Sequence, residues 1–220
     1  MEARVEKTKS PRSGTGVSRD PERTQASILA AATQEFTAKG LNGARVDEIA
    51  RRAGVNKRMI YHYFGGKEGL YLAALEATYT AIRSAEVGLR LADKDPAEGM
   101  RELVLFTWHY FIGHPEFLSM LGTENLHRAA YLKKSKRIRE LHSPLIGMIA
   151  NLLERGAKKG AFRRGVDPVD LYISIAGLGW FYLSNRHTLS TIFGRDLTVR
   201  AALDARGRHI VEVVLSFLRP

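Results

Sequence analysis

Within AGVNKRMIYHYFGGKE, residues 53–68, Lys57, Arg58, His62 and Lys67 stand among Tyr61, Tyr63 and Phe64 around a short apolar frame. Buried cations need partners, and so short a frame supplies none. The chemistry open to such a set is anion binding, either of a substrate on an enzyme loop or of a polyanion laid along the polar side of a helix. Lys and Arg at a helix start are suited to the O6 and N7 of guanine. Cations flanking that helix grip phosphates, which fix register and carry little sequence information.

Composition narrows the choice. The chain of 220 residues is 45% hydrophobic and carries a formal net charge of +11. The positive excess is spread along the whole chain, so a single basic tail does not explain it, and nucleic acid or an anionic membrane surface is the favoured kind of partner. There is no cysteine, which excludes disulfides, thiolate metal sites and a cysteine nucleophile. The N-terminus lacks the apolar stretch of a secretory signal. The longest apolar run, Leu103 to Gly113, is interrupted by Thr107 and His109 and is too short to span a bilayer. A cytoplasmic protein without a membrane contact is expected. His109, His114 and His127 lack metal-ligand spacing, so neither metal nor cofactor is expected.

The elements that must position the basic set read as helices. Residues 1–19 are rich in Lys, Arg, Ser, Gly and Thr without periodicity and read as a flexible basic leader. Asp20-Pro21-Glu22 has the form of a helix start. Ile28, Ala32 and Phe36 then recur at helical spacing, and Gly40 marks a stop. Val46 to Ala53 forms a short helix ending at Gly54, and Asn56 caps the next, KRMIYHYF. Two short helices joined by a tight glycine turn make a helix-turn-helix, whose second member enters the major groove.

The run RTQASILAAATQEFTAKGLNGARVDEIARRAGVNKRMIYHYFGGKEGLYLAALE, from residue 23 to about 75, resembles the DNA-binding domain of TetR-family transcriptional regulators. The resemblance rests on a helix ending in F-x-x-x-G, then IA-x-x-AGV, then IYHYF and K-E-x-L in that order. It implies a DNA-binding domain over residues 20–66 and an effector-binding and dimerisation domain over 67–220. It implies base-edge contacts from Lys57, Arg58 and Met59, with Asn56 at the helix cap. It implies phosphate or base contacts from Tyr61, His62 and Tyr63, and phosphate contacts from Lys67 and Arg45. For Tyr63, core packing is an equal alternative. Ala44 and Gly66 depart from the usual pattern, in which Thr and Ser are frequent, and both changes weaken capping.

Beyond Lys67 the chain reads as helices throughout, with no alternating strand pattern. The expected fold is all-α: an N-terminal three-helix bundle with a helix-turn-helix, followed by a larger helical domain. The connecting helix shows Leu70, Ala73, Ala74, Ala77 and Ala81 at helical spacing, Pro144 is expected to kink or restart a long helix, and Gly177 and Gly179 suit close helix approach. Trp108, His109, Phe111, Phe117, Glu124, Asn125, His127, Arg128, Tyr131, Trp180 and Tyr182 form an aromatic and polar mixture of the kind that lines small-molecule pockets. They are the candidate effector-pocket residues, against a plain-core alternative for most aromatics. The resemblance implies a homodimer formed through the C-terminal helices, bound to a double-stranded DNA operator and released by a small-molecule effector. Two rival classes stay open. No G-x-S-x-G, H-E-x-x-H, P-loop or strand-borne G-x-G-x-x-G supports an enzyme, and an architectural DNA binder would share the helix-turn-helix but lack an effector cavity.

Overall fold

Asp20 starts the first helix as its residue type predicts, its side chain accepting the Glu22 N–H at 3.0 Å with Pro21 in the first turn. The computed structural model describes residues 20–220 and, of 142 and 143, the backbone alone; the leader expected over 1–19 lies outside the described residues. Helices α1 (Pro21–Gly43), α2 (Val46–Ala53), α3 (Lys57–Phe64) and α4 (Lys67–Val87) are followed by α5 (Pro96–Gly113), α6 (Pro115–Leu126), α7 (Lys136–Lys158), α8 (Pro168–Phe193) and α9 (Arg200–Leu218). Two short 3-10 turns, Leu91–Asp93 and Leu132–Lys134, join them, and no strand occurs among the described residues. Gly40 breaks the first helix as expected, with φ 64° and ψ 178°, and one further turn carries the chain to Gly43.

One continuous apolar core runs through the molecule. Ile28, Ala32 and Phe36 of α1 meet Ile49 of α2, Ile60 of α3 and Leu70 and Tyr71 of α4, all with almost no exposure. Beyond them α4 packs on α7, while α5 lies between α7 on one side and α8 and α9 on the other. Two expectations need correction. On α4 the buried face holds Leu70, Tyr71, Ala74, Leu75, Tyr79, Ile82, Arg83 and Glu86, whereas Ala77 and Ala81 are exposed; the small residues had suggested a stripe rotated away from the true one. Pro144 neither ends nor restarts α7, which runs unbroken around it, because Leu145, Ile149 and Leu152 next to it are anchored in the core. Of the two glycines on α8, Gly179 lies close against Trp108 and Phe111 of α5, as a close helix approach requires, and Gly177 is exposed.

A buried carboxylate ties the helix-turn-helix to α1. Glu35 has no exposed surface, and it accepts from Lys39 Nζ at 2.8 Å and from the Arg45 N–H at 3.4 Å, with Arg52 Nη2 3.4 Å from its other oxygen. The Lys39 hydrogen bond above all holds its carboxyl below the usual carboxylate range, against the opposing effect of burial. A lowered folded-state value means that the stabilisation is fully present at neutral pH and is lost as pH falls through that value. Glu35→Gln is therefore expected to destabilise the protein at pH 7 by about 1–3 kcal/mol, and the deficit should shrink on acidification. Thermal melts of both proteins from pH 7 to pH 3 check this; an equal deficit at every pH would remove the charge from the explanation.

Candidate DNA interface and effector-domain interior

The turn between α2 and α3 is built on backbone geometry that glycine supplies. Gly54 adopts φ 65° and ψ 32°, a left-handed conformation other residues take at a cost, and the Val55 N–H returns to the Ala50 carbonyl at 3.0 Å. Ser27 of α1 donates to the Ala53 carbonyl, holding the end of α2 in place. Asn56 caps α3, its side chain accepting the Arg58 N–H at 2.9 Å. At the far end of α3 the chain turns into α4 so tightly that a Cβ on Gly69 would lie 1.9 Å from the Phe64 carbonyl oxygen. Gly66, where a serine cap is frequent in the pattern, has φ 125°, a region that L side chains rarely adopt.

This frame leaves Arg45, Lys57, Arg58, Tyr61 and His62 exposed to solvent. Arg58 makes no ion pair among the described residues. Lys57 does: its Nζ lies 2.7 Å from Asp47 Oδ1, which raises its pKa. Lys67 Nζ donates to the Asn42 carbonyl at 3.1 Å, bridging the start of α4 to the end of α1. Tyr61 is 50% exposed. Met59 and Tyr63 differ in kind, being half-buried against the core, with the Tyr63 ring edge-on to His62 at 5.0 Å. Arg51 and Arg52 turn back onto Glu48, whose carboxyl the two guanidiniums hold down at about 2.

The structure scatters the eleven residues proposed for the effector pocket. Trp108 is buried where α5, α8 and α9 meet; its Nε1 donates to the Leu203 carbonyl at 3.2 Å and its ring lies edge-on to Tyr182 at 5.6 Å. Tyr182 in turn donates to the Leu197 carbonyl. Phe111 and Phe117 stack on each other at 5.7 Å, and Phe117 also meets Tyr79 and Tyr110. Glu124 is buried, one oxygen accepting the Leu132 N–H and the other unpaired. Tyr131 sits edge-on to Tyr71, with His127 beyond it. Trp180 is half-buried with an unpaired indole N–H. His109, Asn125 and Arg128 are exposed, which takes them out of an interior lining.

What the sequence reading missed is a buried charged pair one helix away. Arg83 and Glu86 on α4 are 5% and 1% exposed, with Arg83 Nη2 3.1 Å from Glu86 Oε1. Arg83 Nη2 also donates to the Tyr172 hydroxyl of α8 at 3.3 Å, and its guanidinium lies 5.6 Å from that ring. Arg83 Nε and Nη1 and both oxygens of Glu86 have no hydrogen-bond partner. Burial pushes the Glu86 carboxyl up to about 7, against the pull of Arg83. Tyr79, close to Tyr172 and Arg83, is pushed up to about 12, by burial first. A cleft of about 130 Å³ between α4 and α7 reaches this pair, walled by Val87, Leu141, Pro144, Leu145 and Met148. The spacing 75, 79, 82, 83, 86 continues the buried face of α4, so polar residues falling on an apolar register were the available signal.

A capped, exposed second helix held by a glycine turn, on an otherwise all-helical body, defines a helix-turn-helix DNA-binding protein. Comparison with known proteins places it further. Residues 28–74 match the family described as bacterial regulatory proteins, tetR family, and residues 96–214 match the tetracyclin repressor-like C-terminal domain. The chain is 42% identical to the HTH-type transcriptional repressor NicS of Pseudomonas putida over 86% of its length and 89% of that protein. It is 32% identical to the HTH-type transcriptional repressor SCO4008 of Streptomyces coelicolor, over 88% and 98% respectively. The crystal structure of the putative transcriptional regulator SCO4942 from Streptomyces coelicolor superposes with a TM-score of 0.65 at 25% identity, covering 90% of this chain and 99% of that one. The chain belongs to the TetR family of transcriptional regulators. Regulators of this family bind DNA operators and small-molecule effectors and act as dimers. Among the described residues no helix is long and apolar enough to cross a membrane, and no group of three or more His, Asp or Glu side chains could hold a metal ion.

Arg58→Ala is expected to weaken binding to the preferred duplex by about 1–3 kcal/mol while leaving random DNA nearly unaffected. Titration of both duplexes by fluorescence anisotropy checks this, and equal weakening on the two would make Arg58 a phosphate contact instead.

Proposed function

We propose that the chain is a homodimeric, sequence-specific repressor that holds a roughly palindromic operator and releases it when a small molecule occupies the helical body. Residues 20–66 form the DNA-binding unit and 67–220 the effector-binding and dimerisation unit. The observation that carries the DNA half is the exposed, capped α3 with an unpaired Arg58 at its start. Lys57, Arg58 and Met59 face base edges; Tyr61, His62 and Tyr63 line the groove wall; Arg45 and Lys67 bind phosphates, Lys67 exchanging the Asn42 carbonyl for one. Lys57 exchanges Asp47 for DNA, a small cost because an exposed ion pair contributes little.

Dimerisation through α8 and α9 is supported by the apolar surface they leave uncovered. Ile173 and Phe181 of α8 and Val213 and Phe217 of α9 are all more than a third exposed, and a groove of about 450 Å³ between these helices is lined by Leu171, Gly177, Leu178 and Phe217. Twofold symmetry then sets two α3 helices on successive major grooves, ~34 Å apart. A charge at the centre of that face should split the dimer: Phe181→Asp is expected to sediment as a monomer at micromolar concentration with unchanged helix content. A dimer of undiminished stability would move the interface elsewhere.

Release requires that the ligand prefer the conformation with wrongly spaced α3 helices, since equal affinity for both conformations shifts nothing. The α4 helix supports this coupling, because it begins against α3 and ends at the Arg83–Glu86 pair. The α6 helix adds a second link: Phe117 lies in the interior with Tyr79, and Ser119 donates to the Thr37 carbonyl of α1. Selection of bound sequences from a random duplex library, at two salt concentrations, is expected to return an inverted repeat whose affinity falls steeply with salt. Recovery of nonspecific binding alone would favour an architectural DNA binder.

A further inference from the structure

We infer that the cleft between α4 and α7 takes a single-ring molecule bearing a carboxylate, gripped by Arg83. This narrows the effector reading above and rests on it for its regulatory meaning, though not for the binding itself.

The argument begins with Arg83. A guanidinium presents its N–H donors in a planar fork that matches a carboxylate. Arg83 is almost wholly buried, yet among the described residues only its Nη2 is engaged, by Tyr172 and Glu86, while Nε and Nη1 have no acceptor there. Arg155 shows the contrast: its three guanidinium nitrogens meet the Asn151 side chain and the Lys94 and Leu91 carbonyls. Glu86 does not complete the fork, because it meets Arg83 through one oxygen and makes no hydrogen bond with either. With its carboxyl shifted toward neutrality by burial, Glu86 leaves part of the guanidinium charge unbalanced. An anion balances that charge; a neutral amide does not. A protonated Glu86 also offers an O–H to the same ligand.

The walls set the size. At about 130 Å³ the cleft is close to an engineered apolar cavity of ~150 Å³ that holds benzene, so its volume suits one ring better than two fused rings. Among the described residues the lining is mostly apolar, from Val87, Leu141, Pro144, Leu145 and Met148, with Ser84 and the charged pair as its polar members. That is the composition of a small-molecule site: an apolar enclosure with a few convergent polar groups.

The test uses the full chain and direct binding. Benzoate, 2-furoate, picolinate and 1-naphthoate are each titrated calorimetrically beside their carboxamides, and release of the selected operator is followed in parallel. At least one monocyclic carboxylate is expected to bind once per protomer, roughly tenfold or more tighter than its carboxamide, with 1-naphthoate weaker than benzoate. Arg83→Gln should lose that preference, Arg83→Lys should keep part of it, and both should still bind the operator. Binding of no monocyclic carboxylate, equal binding of the carboxamides, or full carboxylate binding by a folded Arg83→Gln overturns the inference; the wild-type titrations decide even where a variant does not fold. Carboxylate binding without operator release supports the site and removes the effector reading. Operator binding without any carboxylate binding removes the site and leaves the DNA-binding reading intact.

Discussion

A single unbroken helix, α4, joins the DNA-binding unit to the body, and most of what the molecule can do follows from its stiffness. Its 21 residues span about 30 Å at 1.5 Å each. The first turn is locked: Gly69 sits beneath the Phe64 carbonyl with no room for a methyl group, and Lys67 bonds the end of α1. The last turns carry Arg83 and Glu86 into the interior of the body. A rod held at both ends converts a small displacement at one into a reorientation at the other. The α6 helix makes a second connection from the side, since it touches the interior through Phe117 and α1 through Ser119.

Charge is divided between scaffold and surface in the same economical way. Around the helix-turn-helix, Lys39 pairs with Glu35 within α1 and Arg51 and Arg52 with Glu48 within α2, while Arg52 also reaches Glu35 and ties α2 to α1. Arg58 and His62 are left to solvent on the helix that faces outward. Lys57 lies between these roles, paired to Asp47 at the surface, where salt screens the pair and a polyanion can replace it. The net charge of +11 therefore says less about DNA binding than the cations left exposed on α3 itself.

The DNA-binding unit was legible in the sequence because each of its signals is local. Asp20 and Asn56 cap helices through their own backbone neighbours, Gly54 turns the chain within one residue, and Ile28, Phe36, Ile49 and Ile60 fall on ordinary helical spacing. The body was legible as helices and much less as a site. Aromatic and polar residues suggested a single lining, but Trp108 and Tyr182 serve the junction of α5 with α8 and α9, and His109 and Arg128 face solvent. Which side of a helix meets which neighbour depends on packing across long sequence separations. Arg83 and Tyr172 meet across 89 positions, and nothing in the local pattern of either announces the other. The α4 stripe was misjudged for a related reason: Ala77 and Ala81 fall at helical spacing, but the face that meets the body carries Tyr79, Ile82, Arg83 and Glu86.

The two buried carboxylates make the final contrast. Glu35 is surrounded by Lys39, Arg52 and the Arg45 N–H, and its charge is stabilised. Glu86, equally hidden, has one cation at an angle that makes no hydrogen bond, and its carboxyl is shifted toward the neutral form. Burying an ion pair costs desolvation that attraction repays only with good geometry and further hydrogen bonds, and apolar residues of similar volume often stabilise a fold at least as well. Glu35 gathers Lys39, Arg52 and the Arg45 N–H where Glu86 gathers one cation, so the sparse pairing at Arg83 and Glu86 is not a limit of the fold. Donors left open in a cleft weaken the empty protein, and a ligand that satisfies them in one conformation more than in another shifts the balance between the two.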